Sequence, residues 1–138
     1  PDIAYPYLFS YFKGEEWRTQ KEVRKILQEV YSTEPAGIPG NDDCGTMSAW
    51  AVFSMMGFYP DCPGSPYYTL TAPSFSSIEI TLDPALCAGR DRLVISCDAT
   101  SGGHIRSMSL GGRRLKSYRI SHGDLVGAGT LSFILSRK

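Results

Sequence analysis

The residue types best suited to chemistry stand in one run, Gly40-Asn41-Asp42-Asp43-Cys44-Gly45. Two adjacent carboxylates and the chain's only asparagine lie between glycines, just ahead of a predicted helix. Helix N-termini favour anions, so a carboxylate here is favoured in its ionised form and suits a base better than an acid. Oxygen ligands this close together also suit a hard cation such as Ca2+, which takes six to eight oxygens. Three residues cannot fill that shell, so other segments would have to contribute. The competing reading is an Asx turn in which one carboxylate caps the helix. The run is not an EF-hand, because the D-x-D-x-D-G pattern and its closing Glu are missing.

Other candidates carry less. His104 and His122 lie in no nucleophile motif and read as surface loop residues. Trp17 and Trp50 could offer faces to a pyranose ring, but Trp50 sits in an apolar stretch and reads as core. No phosphate loop, dinucleotide fingerprint or nucleophile elbow occurs. Cys44, Cys62, Cys87 and Cys97 lack the paired spacing of a zinc site. They fit one bridge in each half of an exported protein, or buried free thiols, and spacing does not choose between these.

The elements that must position these residues change character along the chain. Pro6 suits the first position of a short helix through Tyr7, Leu8, Phe9 and Tyr11. Thr19-Gln20-Lys21-Glu22 has the form of a capping box. Val23, Ile26, Leu27 and Val30 follow as one apolar stripe of a helix predicted to end near Tyr31. Two prolines and two glycines in residues 34–40 interrupt it. A third helix is predicted from Thr46 to Met56, stopped by Gly57. It is apolar nearly all round at Trp50, Ala51, Val52 and Phe53, and so needs cover from several neighbours.

Beyond residue 66 the period becomes alternating, with strands predicted at 67–71, 78–82, 92–97, 105–110, 113–118 and 130–136. Gly111-Gly112 has the length and composition of a tight hairpin turn. Residues 121–125 are expected to form a helical turn before the last strand. This implies an α+β chain: a helical part over residues 1–63, then a small antiparallel sheet or sandwich over residues 64–138.

With 42% apolar residues the 138-residue chain has the composition of a folded domain. Its zero net charge divides into −4 for residues 1–63 and +4 for residues 64–138. Arg113, Arg114, Lys116 and Arg119 supply much of the latter and read as solvated surface, not as a nucleic-acid site. The longest mainly apolar window, residues 47–56, is about half of the ~20 residues a membrane span needs. Neither a membrane anchor nor an N-terminal targeting segment is expected in these residues.

Longer motifs point to a family. Residues 40–50 (GNDDCGTMSAW), followed by Gly57-Phe58-Tyr59-Pro60 and Pro63-Gly64-Ser65-Pro66, resemble the closing part of glycoside hydrolase family 92, the calcium-dependent exo-acting α-mannosidases. Pro1-Asp2-Ile3, Pro6-Tyr7-Leu8-Phe9 and Trp17-Arg18-Thr19-Gln20 match in the same order. Leu110-Gly111-Gly112, Asp124-Leu125 and Gly129-Thr130-Leu131 extend the match to the strands.

The resemblance implies the last helices of an (α/α)6 catalytic barrel followed by trailing strands. The upstream barrel helices and an N-terminal β-sandwich would then be supplied by a longer protein. It implies inverting hydrolysis of terminal α-mannosides, often α-1,2, from mannose-containing glycans, with Ca2+ as cofactor and an exported location. It assigns Asp43 as general base, Asn41 as orienting the attacking water, and Asp42 to the calcium shell. The general acid would come from elsewhere, so these 138 residues alone are expected to be inactive. Thr46, where the family often has Gln, and Ala51, where an aromatic is common, depart from the pattern beside the site and leave the linkage open. The alternative is a non-catalytic carbohydrate-binding or interaction module that keeps the Asn41-Asp42-Asp43 loop for calcium or packing.

Overall fold

The computed structural model describes residues 3–98 and 103–136. Its first element is a 3-10 helix, Tyr5–Tyr11, with Pro6 in the first turn as expected. Helix α1 follows at Glu16–Glu29 and α2 at Thr46–Met56. The predicted bounds of α2 hold because Gly57 closes it in the left-handed conformation, with φ of 90°, and donates its N–H back to Phe53 and Ser54.

The capping box at Thr19 is not formed. Helix α1 begins three residues earlier, and Thr19 lies inside it, buried on the face that continues to Val23. Its entry is held differently: the Glu16 carboxylate accepts the Gly14 N–H at 2.9 Å, and Glu15 pairs with Arg18. Burial of Thr19 outweighed the local capping signal.

Two sheets follow. The first joins β1 (Phe58–Tyr59), β2 (Tyr67–Leu70) and β7 (Arg119–Ser121) in the order β1-β2-β7, all antiparallel. The second joins β3 (Ser77–Thr81), β4 (Arg92–Cys97), β5 (Ile105–Leu110), β6 (Arg113–Leu115) and β8 (Thr130–Leu135) in the order β3-β4-β8-β5-β6. The fold is α+β, but the expectation of an antiparallel sheet needs correction, because β4 and β8 run parallel. Between them lie a hairpin, a strand of the other sheet and helix α3 (His122–Ala128), a connection long enough to bring the chain back in the same direction.

The strand predicted at 113–118 is shorter than expected: only β6, Arg113–Leu115, forms, and it stays with the large sheet. The chain then crosses to the small sheet as β7, which begins beyond the predicted bound and turns directly into α3, whose Ser121 cap accepts the Asp124 N–H. Gly111 and Gly112 form the expected two-residue hairpin, both at positive φ.

Phe58 and Leu70 of the small sheet share a core with Leu93, Ile95, Leu131 and Phe133 of the large one and with Leu125 of α3. A second core gathers Tyr7, Val23, Trp50, Ala51 and Tyr59. Phe53 packs against both, edge-on to Phe58 and to Tyr59. Hydrogen bonds tie helices to sheet as well. The buried Gln20 Oε1 accepts the Ile105 N–H at 2.8 Å, and Arg24 donates to the Gly103 carbonyl at 2.7 Å. Backbone pairing also crosses residue 63, since β1 belongs to the same sheet as β2.

Gly57 is doubly constrained. A Cβ there would lie 2.9 Å from the Thr71 carbonyl oxygen, in a backbone conformation that L-residues avoid. Gly64 has a similar φ of 83° but nothing within 4 Å. In the full-length protein Gly64→Ala should therefore cost only the conformational penalty, about 1–2 kcal/mol. Gly57→Ala should cost clearly more, read as a lower urea midpoint.

Six phenols, those of Tyr7, Tyr11, Tyr31, Tyr59, Tyr68 and Tyr118, are held above their ordinary range, five of them chiefly by burial and Tyr11 chiefly by a hydrogen bond to Asp61. Above about pH 10 the unfolded chain releases these protons while the folded chain keeps them. Stability should be intact below that pH and fall as pH rises beyond it, by more than one tyrosine accounts for, in denaturant titrations at stepped alkaline pH.

Candidate active site

The run singled out in the sequence forms the loop that enters α2. Gly45 is the N-cap position and has no side chain to offer, so the cap comes from further back. Asp42 Oδ1 accepts the Ser48 N–H at 2.8 Å, and the Asp42 carbonyl accepts the Met47 N–H at 3.1 Å. The carboxylate-cap reading therefore describes Asp42. Asp43 accepts through its backbone instead: its carbonyl receives both the Thr46 N–H at 3.2 Å and the Thr46 hydroxyl at 2.7 Å.

The backbone between cap and helix is unusual. Asp43, Cys44 and Gly45 are consecutive residues at φ of 49°, 59° and 89°. Left-handed conformations in non-glycine residues cost free energy and persist only where neighbours enforce them. Here the enforcement comes from Asp42 and Thr46, whose bonds bracket the segment. Asn41 and Asp43 are exposed, whereas Asp42 is half-buried. The loop holds Asp42 against the helix and leaves Asp43 at the surface.

Behind the loop stands an aromatic wall. Tyr31 stacks on Trp50 with ring centres 5.7 Å apart and donates its hydroxyl to the Met47 carbonyl. Tyr7 stacks on Tyr59 at 4.7 Å, and its hydroxyl pairs with the buried Ser54. Burial, and then the nearby Asp42 charge, push the Tyr31 phenol up. Trp50 is core, 2% exposed, with its Nε1–H given to the Ile3 carbonyl. Trp17 is exposed and packs edge-on to His104, so the two tryptophans form no common platform. His104 and His122 are exposed, the latter paired through Nδ1 with the Tyr68 hydroxyl. Cys44 and Cys62 are exposed, and Cys87 and Cys97 are buried.

Thr46 was placed beside the site from the sequence, but its bracing of Asp43 was not foreseen, although the three-residue spacing was an available signal. Tyr31 gave no signal, since only tertiary packing brings it to α2.

Calcium can be weighed against these residues. One oxygen of Asp42 is committed to the helix cap, and among the described residues no three His, Cys, Asp or Glu side chains cluster to hold a metal. The described residues thus offer no cluster of carboxylates for calcium, and Asp42 keeps one oxygen outside the cap bond.

The glycosyl hydrolase family 92 catalytic domain matches residues 1–137. The chain belongs to that family. Its fold superposes on a family 92 α-mannosidase from Bacteroides thetaiotaomicron, solved with mannoimidazole, with TM-score 0.85 and 28% identity, covering 99% of this chain and 17% of that one. A family 92 inverting mannosidase from the same organism gives TM-score 0.83 and 32% identity, covering 99% of this chain and 18% of that one. An uncharacterized secreted glycosidase of Arthroderma benhamiae is 26% identical over all 138 residues, which span 18% of its length. The chain thus spans less than a fifth of the length of each of these relatives. Among the described residues no helix is long and apolar enough to cross a membrane.

The capping geometry gives a direct test. In the full-length protein Asp42→Ala should cost about 1 kcal/mol, the usual loss for an N-cap acceptor, while Asp42→Asn, which keeps an acceptor oxygen, should cost less. Thermal unfolding of the two variants side by side gives the comparison.

Proposed function

We propose that these residues supply the general-base side of an inverting exo-α-mannosidase, which removes terminal mannose from glycans. The observation that carries this reading is the division of labour in the loop, with one Asp42 oxygen committed to the helix and Asp43 left exposed on a braced backbone. Family membership supports hydrolase chemistry, and the likeness to two solved mannosidases supports the sugar.

Inversion requires a carboxylate to take the proton of a water attacking one face of the sugar, and an acid to protonate the leaving oxygen on the other, roughly 6.5–9.5 Å away. Asp43 is the base in this proposal. Its backbone is locked by the two Thr46 bonds, so little conformational freedom is lost when it meets the water. Asn41, two residues earlier, offers an amide that can hold the same water. The acid comes from the remainder of the protein, so the isolated chain does not turn over.

The same remainder would cover the apolar surfaces left open here, as in an (α/α)6 barrel of which α1 and α2 are members. Val52 is 50% exposed, and together with Leu27, Tyr31, Ile38, Ala51 and Met55 it borders an apolar groove of about 410 Å3. The helical part would then close the barrel, and the strand region would flank it. Calcium belongs to this proposal as a cofactor of the whole protein, with Asp42 as this chain's contribution and the other oxygens drawn from outside it. When bound it would draw on the sugar's hydroxyl oxygens. The secreted relative supports an exported location.

In the full-length enzyme Asp43→Asn should reduce kcat by at least ~10²-fold, with KM little changed, because the amide keeps the size but cannot accept a proton. Near-wild-type turnover would show that the loop is a helix cap only. Asp42→Asn should retain more turnover than Asp43→Asn and shift the calcium concentration needed for activity, measured after chelation and stepwise readdition.

A further inference from the structure

We infer that the concave surface between the β5–β6 hairpin, β7 and α3 is a second binding site, for a tetrahedral oxyanion such as a phosphate or sulfate group on a sugar. It is a pocket of about 590 Å3 whose lining includes Tyr67, Arg90, Arg113, Arg119, Ser121 and Asp124. That volume lies in the range of small-molecule sites and exceeds what a bare oxyanion needs.

Three arginines line this pocket against one aspartate, and none of the three makes an ion pair with a carboxylate among the described residues. Two of them are held by neutral partners. Arg90 Nε donates to the Gly127 carbonyl at 3.1 Å. Arg119 lies over the rings of Tyr11 and Tyr67, at 4.9 and 5.6 Å from their centres. Its Nε is shielded from solvent and has no acceptor among the described residues. Arg113 leaves the Gly111-Gly112 turn as the first residue of β6.

The one acid of the pocket is already engaged. Asp124 Oδ2 accepts the Ser121 hydroxyl at 2.6 Å within the cap of α3. The lining thus holds three arginines and one engaged acid, with no direct ion pair to the arginines among the described residues. Guanidinium donors in a fixed fork match the oxygens of phosphate or sulfate, and the excess of positive charge along the lining favours an incoming oxyanion. The expected reading of Arg119 as solvated surface is also corrected, because it is half-buried between two tyrosines.

This site is separate from the Asp43 reading and does not rest on it. The test is calorimetric titration of the full-length protein at low salt with inorganic phosphate, glucose 6-phosphate and glucose. Both phosphates should bind saturably, glucose should not, and added sodium chloride should weaken the binding. Tighter binding of the sugar phosphate than of phosphate identifies an ester ligand, and equal binding identifies the free oxyanion.

Arg113→Gln, at an exposed position, should weaken binding at least about tenfold, and so should Arg90→Gln. Absence of saturable phosphate binding, or binding unchanged in both variants, overturns the proposal. Turnover of a neutral mannoside by Arg113→Gln should stay at the wild-type level. Failure of the pocket therefore leaves the mannosidase reading standing.

Discussion

Helix α2 has almost no polar face to give to water, and that constraint organises the rest of the chain. Such a helix is stable only when covered from several directions. Trp50 and Ala51 enter the core shared with α1 and the 3-10 helix, while Phe53 reaches the strands. Each end is then fastened by one residue: Asp42 satisfies the orphan donor of Ser48, and Gly57 lets the chain pass close under Thr71 and Pro73. Burial, cap and close approach act on the same eleven residues. Displacing α2 would break both cores at once.

The reactive loop inherits its shape from that helix. Because the N-cap residue is a glycine, the capping oxygen must come from three residues earlier, and the chain between must curl. The curl is the left-handed run at Asp43, Cys44 and Gly45. Two adjacent carboxylates, chemically alike, are thereby given different surroundings by a backbone that no propensity scale would choose. A strained segment over-determined by its neighbours is a common way to place a functional group.

The parts legible in the sequence were those governed by local rules. Helix α2 between Thr46 and Gly57, strands β4 and β5 and the Gly111-Gly112 hairpin all follow from periodicity and turn chemistry. Where tertiary contacts compete with local signals, the reading failed. Thr19 has a capping pattern yet is buried, residues 113–118 alternate like one strand yet leave the sheet after Leu115, and β1 is too short to show a period. The parallel pairing of β4 with β8 depends on a distant partner and has no local signature. At the site, the capping role of one carboxylate could be foreseen, but its assignment to Asp42 depends on two left-handed non-glycine residues that composition does not announce.

The central place of β8 has a consequence for the newborn chain. It lies between β4 and β5, and its Ser132 meets Ser96 across 36 residues of sequence. Until the ribosome has released β8, the β3–β4 and β5–β6 hairpins have no strand to join them, and Leu93, Ile95 and Met108 lack the side chains that bury them. Contacts of such separation form slowly, after the local ones. The sheet is therefore keyed by the last of its own five strands to emerge, and a nascent chain halted before residue 130 would present two sticky half-sheets to the chaperones around it.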